Sequence, residues 1–285
     1  MFYKILFQKN SAYDIIVLEN ILEVLIMSGE KVIFCGNNPD FLDKKLTTLS
    51  DGSNGGNAFR IPSLIRSGNT LIAAIDRQSC GADWGYIELA IRRSEDGGET
   101  WSDIQIIAIP PARKTMLSDE CYGSAFYIDP CMAIAPNGDV LLLVDFYPEC
   151  KGLHKRSILD KKKAPYALYN KEMRPTLYDR DGKFYVIDKS GHVLNHRYTD
   201  TGMTVDYESG ELYSGEAYLG NIHLNGKSPS NINEAGAKTT FGAPLKAPKR
   251  SYLYLLRSSD NGKTWSKPKD ITGQVVIKQD GTCLG

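Results

Sequence analysis

A surplus of positive charge is the first thing this chain lacks: its 285 residues carry 34 Lys+Arg against 34 Asp+Glu, a formal net charge of zero. Duplex binding draws its affinity from cations that displace counterions from phosphates, so no nucleic-acid partner is expected. Long apolar runs are missing too. Ile15 to Met27 is rich in Ile, Leu and Val, but Glu19 and Glu23 interrupt it. It is too short to span a bilayer, and no small-residue cleavage site follows, so neither a membrane span nor a signal peptide is expected. With Asp14 as opener and Gly29 as stop, the stretch reads as a short amphipathic helix, and residues 1–30 as an N-terminal helical extension.

Cysteine is sparse. The six, at positions 35, 80, 121, 131, 150 and 283, form no Cys-x-x-Cys pair, and the four histidines (154, 192, 196, 223) include no His-Glu-x-x-His. A zinc site is therefore not expected, no metal is assigned, and free buried thiols are the simpler reading than a disulfide framework. Helical periodicity is scarce after residue 30.

What fills the chain instead is short runs of β-branched, aromatic and leucine residues between turn dipeptides. Phe59 to Ile65 and Thr70 to Ile75 flank Ser67-Gly68-Asn69, Met132 to Ala135 and Val140 to Val144 flank Pro136-Asn137-Gly138-Asp139, and Thr176 to Tyr178 and Phe184 to Ile187 flank Asp179 to Gly182. Gly and Asn supply the positive φ angles of tight turns between twisted strands, so these segments are expected to be hairpins. Hydrophobic residues at 42% are enough for a real core. The fold class is all-β: a sandwich, a barrel or a propeller of four-stranded blades.

A repeat narrows the choice. Ser94-Glu95-Asp96-Gly97-Gly98-Glu99-Thr100-Trp101 recurs as Ser258-Ser259-Asp260-Asn261-Gly262-Lys263-Thr264-Trp265, an S-x-D-x-G-x-T-W box that each time follows a strand-like run and ends in Trp-Ser. Such a box suits a hairpin turn: carboxylate and hydroxyls bond loop backbone groups, the glycine permits a left-handed residue, and the tryptophan plugs the space between strands. The copies start 164 residues apart, against roughly 40–50 residues per propeller blade. Either intervening blades have lost the motif or something is inserted. Residues 151–219 read as an inserted small β domain between propeller segments 31–150 and 220–285, and Lys227 to Arg250, rich in Ser, Asn, Gly, Pro and Lys, as a long surface loop.

Phe59-Arg60-Ile61-Pro62, ahead of the first box, together with Asp76-Arg77, Asp83-Trp84-Gly85 and Arg92-Arg93-Ser94, resembles the F/Y-R-I-P signature and Asp boxes of bacterial sialidases. The resemblance covers about residue 31 to the end. It implies a six-bladed β-propeller with the site near its axis, here its N-terminal blades with the inserted domain, and an exo-α-sialidase acting on sialylated glycans.

Sialic acid carries a carboxylate on its anomeric carbon, which a guanidinium fork binds bidentately. Arg60 matches the signature arginine, one of three that clamp this group in the family. Departure of the aglycone needs a proton on the glycosidic oxygen, and Asp83 matches the acid/base aspartate, with Asp76 second. Arg77 matches an arginine near the C4 hydroxyl or the acid/base loop; an ion pair with Asp76 or Glu88 is its structural alternative. Asp129, in Tyr127-Ile128-Asp129-Pro130, matches an aspartate on the N-acetyl or O4 side, although Pro130 and Cys131 depart from the family pattern. Asp96, Asp260, Trp101 and Trp265 are expected on outer turns, away from the chemistry. Arg92 and Arg93, adjacent on a strand, must point to opposite faces.

In the family the nucleophile is a tyrosine activated by a glutamate; these and the remaining clamp arginines come from later blades, which the resemblance places after Gly285. The expectation is therefore an N-terminal part of a sialidase, inactive alone. The alternatives are a non-catalytic sialoglycan-binding fragment, an intramolecular trans-sialidase, or a propeller of unrelated function. No cofactor is implied, since the reaction needs proton transfer, a nucleophile and fixed charges. The family suggests a secreted or cell-surface location.

Overall fold

A computed structural model describes residues 3–7, 15–19, 32–34, 58–78, 85–111, 125–149, 162–224 and 243–275. At the N-terminus, β1 (Tyr3–Phe7) and β2 (Ile15–Glu19) pair antiparallel. This corrects the helix expected from Asp14 onward. Ile15-Ile16-Val17 places three β-branched residues in a row, whose stiff side chains favour an extended backbone over a helical one. Residues 20–29, the rest of that expected helix, lie outside the described residues.

The first four-stranded sheet is a simple antiparallel meander of β3 (Ala58–Ser67), β4 (Thr70–Gln78), β5 (Ile87–Ser94) and β6 (Gln105–Ala108). Gly68, with φ 59°, opens the two-residue turn between β3 and β4. Every residue of β4 is buried, which is why Thr70–Ile75 reads as a nearly continuous apolar run. β7 (Phe126–Ile134) and β8 (Val140–Tyr147) then start a second sheet.

The chain leaves that sheet after β8. It forms a seven-stranded sheet in sequence order from β9 (Tyr166–Tyr169), β10 (Glu172–Tyr178), β11 (Phe184–Ile187), β12 (His192–Leu194), β13 (Asp200–Val205), β14 (Glu211–Ser214) and β15 (Ala217–Asn221). It then returns as β16 (Tyr252–Ser258) beside β8 and β17 (Lys269–Asp270) beside β16, completing the order β17-β16-β8-β7. A short helical turn, α1 (Thr272–Val275), follows. Each box thus joins the third and fourth strands of its own sheet. The two sheets are consecutive, and the long separation between boxes is taken up by the seven-stranded excursion.

One turn design recurs along that excursion. The side-chain oxygens of Asp179, Asp188 and Asn195 each accept the backbone N–H groups two and four residues on. Gly182 (φ 83°), Gly191 (φ 89°) and Tyr198 (φ 59°) supply the left-handed residue that closes each turn. Part of the expected surface loop belongs to this sheet as well: Ala243 and Leu245 are buried with Leu177, Val193 and Leu212, and Lys246 exchanges two backbone hydrogen bonds with Tyr178. Apolar anchors in a Pro-flanked stretch make it a packed strap rather than a loop. Residues 225–242 lie outside the described residues.

Between the two four-stranded sheets, Ala74, Leu89 and Ile91 of the first meet Tyr127, Leu142, Val144, Phe146, Tyr254 and Leu256 of the second. The other face of the first sheet packs Phe59, Ala73, Ile75 and Ala90 against Ile33 and Phe34. Each of the larger side chains, such as Leu89, Ile91, Leu142 or Phe59, contributes roughly 1.5–3 kcal/mol by leaving water. Among the described residues, no helix is long and apolar enough to cross a membrane.

Candidate active site at the adjoining inner strands

β3 and β7, the first strands of their sheets, share one irregularity. Pairing of β3 with β4 slips between Arg60 and Ser63, and pairing of β7 with β8 slips between Ile128 and Cys131. In each bulge a left-handed residue precedes a proline: Ile61 (φ 55°) before Pro62, and Asp129 (φ 63°) before Pro130. Proline has no N–H to lose from the ladder, so the gap falls where no donor is missing. The F-R-I-P segment therefore has a backbone counterpart in Tyr127-Ile128-Asp129-Pro130. Pro130, which departs from the family pattern, sits where Pro62 sits.

The two bulges are joined through Asp76. It is the cross-strand partner of Arg60, is fully buried, and accepts the backbone N–H of Asp129 through Oδ1 at 3.2 Å. Through this bond Asp76 holds the second bulge against the first. Arg60 itself is half-buried and Asp129 exposed, each on the first strand of its own sheet. Ser63 adds a second tie, its hydroxyl accepting the Met132 N–H at 3.2 Å.

Arg77, next to Asp76 on β4, must point to the other face. There it meets Glu88, its cross-strand partner, at 3.4 Å, and both side chains are buried. Of the two partners expected for Arg77, the structure supplies Glu88. Asp83 lies outside the described residues. The alternation expected of Arg92 and Arg93 holds: Arg92 donates to the Ile33 carbonyl on one face, and Arg93 to the Asn261 carbonyl on the other.

Two residues at the site went unnoticed in the sequence. Asp145 is the cross-strand partner of Ile128, and burial, with the charge of Asp129 beside it, pushes its carboxyl up to about 6. The Tyr147 hydroxyl is raised to about 12 by burial and by the charges of Asp145 and Asp129. The available signal was slight: one acid in the half-buried register of the apolar strand Val140–Tyr147.

The boxes lie at the opposite end of the sheets. Ser94 pairs with Leu71, five residues along β5 from the Leu89–Asp76 pair, or about 17 Å at strand spacing. Asp96 accepts the Ser94 hydroxyl at 2.7 Å, the Thr100 N–H at 2.9 Å and the Thr100 hydroxyl at 2.6 Å. Asp260 repeats all three bonds with Ser258 and Thr264, which hold it down to about 2. Both carboxylates are turn staples. His192 and His196, four apart, fall on β12 and in the turn after it, where this spacing does not converge as it would on a helix. Among the described residues no group of three or more His, Cys, Asp or Glu could hold a metal ion.

No family model matches the sequence. Solved structures do. The chain is similar to a leech intramolecular trans-sialidase, with 24% identity and a TM-score of 0.59 over 76% of this chain and 35% of that one. It is similar to the NanB sialidase from Streptococcus pneumoniae, with 22% identity and a TM-score of 0.57 over 75% and 36%. The intramolecular trans-sialidase from Ruminococcus gnavus gives 24% identity and a TM-score of 0.56 over 79% and 52%. The chain thus spans between a third and about half of the length of the solved proteins it matches. The likeness establishes the fold: an all-β chain whose four-stranded sheets are like the blades of sialidase β-propellers.

Proposed function

We propose that this chain forms part of the active site of an exo-α-sialidase, with sialylated glycans as substrate. One observation carries the reading: Arg60 and Asp129 stand on matching bulges of the inner strands of adjoining blades, tied together by Asp76. Arg60 is assigned to the substrate carboxylate, where a planar guanidinium gives a bidentate, permanently charged contact. Asp129 accepts hydrogen bonds from the sugar's hydroxyl or amide N–H groups. Asp83 is assigned as the general acid that protonates the leaving oxygen. Arg77, paired with Glu88, acts through the wall that carries Phe59 and Arg60 and is assigned a positioning role.

The test is saturation-transfer NMR with 3′-sialyllactose, followed by hydrolysis of a fluorogenic sialoside by the protein containing this chain. Transfer to the sialic acid protons is expected, with lactose alone giving none. Arg60→Lys should weaken binding at least tenfold because the fork is lost, and Arg60→Ala should abolish it. Unchanged binding in Arg60→Ala would overturn the reading. Binding without turnover, also unaffected by Asp83→Asn, would leave a sialoglycan-binding module.

A second reading follows from the names of two matched structures, both intramolecular trans-sialidases, one of them holding 2,7-anhydro-Neu5Ac. In this reading the product is the anhydro sugar rather than free sialic acid. Mass spectrometry of the product separates the two, since they differ by one water.

A further inference from the structure

We propose that the cavity between the seven-stranded sheet and the second four-stranded sheet binds a small organic ammonium ion. Its N–H groups meet the Asp270 carboxylate, and its apolar body lies against Met173, Leu177, Ile187 and Val205.

The cavity measures about 740 Å³, enough for a molecule of drug-like size. Its walls come from both sheets: Leu177 and Met173 from β10, Ile187 from β11 and Val205 from β13 face β16 and β17 across it. Apolar walls select for an apolar body. The acids Glu172, Asp206 and Glu208 on its lining are exposed, and the most enclosed acid is Asp270, the last residue of β17.

Four hydrogen bonds hold the Asp270 carboxylate in place. Oδ1 accepts the Thr272 N–H at 3.0 Å, the Thr272 hydroxyl at 2.7 Å and the Tyr166 hydroxyl at 2.9 Å. Oδ2 accepts the shared Tyr166 hydroxyl at 2.8 Å and nothing more among the described residues. A carboxylate offers about four acceptor positions, so Oδ2 keeps one for a ligand. All of these partners are neutral. Burial raises the Asp270 pKa above its ordinary value, and no described residue makes an ion pair with it.

Of the lining cations Arg174, Lys189, Lys267 and Lys269, two are held by neighbouring acids, and none makes an ion pair with Asp270. Lys267 pairs with Glu208, and Arg174 with Glu172 and the Tyr207 hydroxyl. Lys269, beside Asp270 on β17, also lines the cavity, but strand alternation carries its side chain to the exposed side. A half-buried carboxylate held by neutral donors beside an apolar wall favours a ligand that brings a positive charge of its own. An ammonium group provides that charge together with N–H donors.

The site is separate from the one assigned to sialosides, so the two readings can fail independently. The experiment is isothermal titration of the full chain with 2-phenylethylammonium and with its neutral counterpart 2-phenylethanol. The amine should bind at least tenfold more tightly. Asp270→Asn should reduce amine affinity at least tenfold while leaving the alcohol unchanged, and Met173→Trp, which fills the cavity and keeps Asp270, should abolish binding of both. Saturating 3′-sialyllactose should leave amine binding unaltered. Equal affinity for amine and alcohol, no binding of either, or amine binding that survives both substitutions would overturn the proposal. Should Asp270→Asn fail to fold, Met173→Trp and the amine-to-alcohol ratio still decide it.

Discussion

The two four-stranded sheets are built alike and differ where they touch. Each has a bulged first strand with a left-handed residue before proline, and each has a box between its third and fourth strands. In the box turn of the first sheet Gly97 stands clear, a Cβ there meeting nothing within 4 Å, although Glu95 lies 3.9 Å from Lys263 of the second box. The counterpart of Gly97 in the second box is Asn261, which accepts the Ser67 hydroxyl at 2.7 Å and, through its carbonyl, the Arg93 guanidinium at 2.8 Å. Lys263 of the same turn offers its carbonyl to the Gln105 side chain at 3.2 Å. One motif therefore serves as a plain turn in one sheet and as a latch onto the preceding sheet in the other. The box fixes the hairpin; the residues at its variable positions decide whether it docks.

The largest test of that difference is at the glycines. Gly98 and Gly262 both have left-handed φ, 94° and 79°, so alanine is strained at either. A Cβ on Gly98 would sit 3.6 Å from Leu71, an ordinary contact, but on Gly262 it would sit 2.9 Å from the Cδ1 of Ile72 across the interface. Gly98→Ala should cost about 1 kcal/mol and Gly262→Ala about 2 kcal/mol in urea unfolding. Ile72→Val removes the crowding methyl. The double variant Gly262→Ala/Ile72→Val should be more stable than the sum of the single changes by about 0.5–1 kcal/mol. Strict additivity would mean that the latch does not bear on Ile72.

The bulges offer the next test, because the first carries Ile61 where the second carries Asp129. Asp145 titrates at about 6 instead of its ordinary 3.8, through burial first and the Asp129 charge second. A raised folded pKa means that the native state holds a proton which the unfolded chain has released. Stability therefore falls as pH rises from about 4 to about 6, and the loss is complete above that window. Asp145→Asn should match the parent below pH 4 and exceed it by about 1 kcal/mol at pH 7, after allowance for solvent screening at a half-buried group. Asp129→Asn should lower the Asp145 midpoint in a carboxyl NMR titration. An unmoved midpoint would leave burial as the whole cause.

Hairpins were legible in the sequence wherever the backbone leaves little choice. Gly68, Gly138 and Gly182 stand at positive φ between apolar runs, and few residues tolerate that position. The boxes were legible for a related reason, because a carboxylate with three fixed donors needs those residue types at that spacing. Arg60 and Asp129 were legible only through the resemblance to sialidases. What failed depends on partners remote in sequence. Nothing in Val140–Tyr147 says that its neighbour is Tyr252–Ser258 rather than the next strand along the chain, so the split sheet could be guessed only as some insertion. The Asp14 cap signal was outweighed by three β-branched residues. Asp145 owes its character first to burial by the fold and then to Asp129, and the kinship of F-R-I-P with Y-I-D-P rests on an aromatic, a proline and a shared backbone.

The smallest test exchanges the two turn residues. Asn261→Gly keeps the left-handed backbone but removes the acceptor of the buried Ser67 hydroxyl. The lost bond costs about 1 kcal/mol, and the easier φ returns part of it, so a net loss of about 0.5 kcal/mol is expected. Gly97→Asn places asparagine, which tolerates φ 73°, in open space and should change stability by less than about 0.5 kcal/mol. Stability alone separates these variants poorly; hydrogen exchange does so better. The Arg93 and Ser102 amides on the first sheet should lose protection in Asn261→Gly and keep it in Gly97→Asn. A second-box turn that only closes its own hairpin would leave first-sheet protection untouched in both variants, and the latch would then be a contact without consequence.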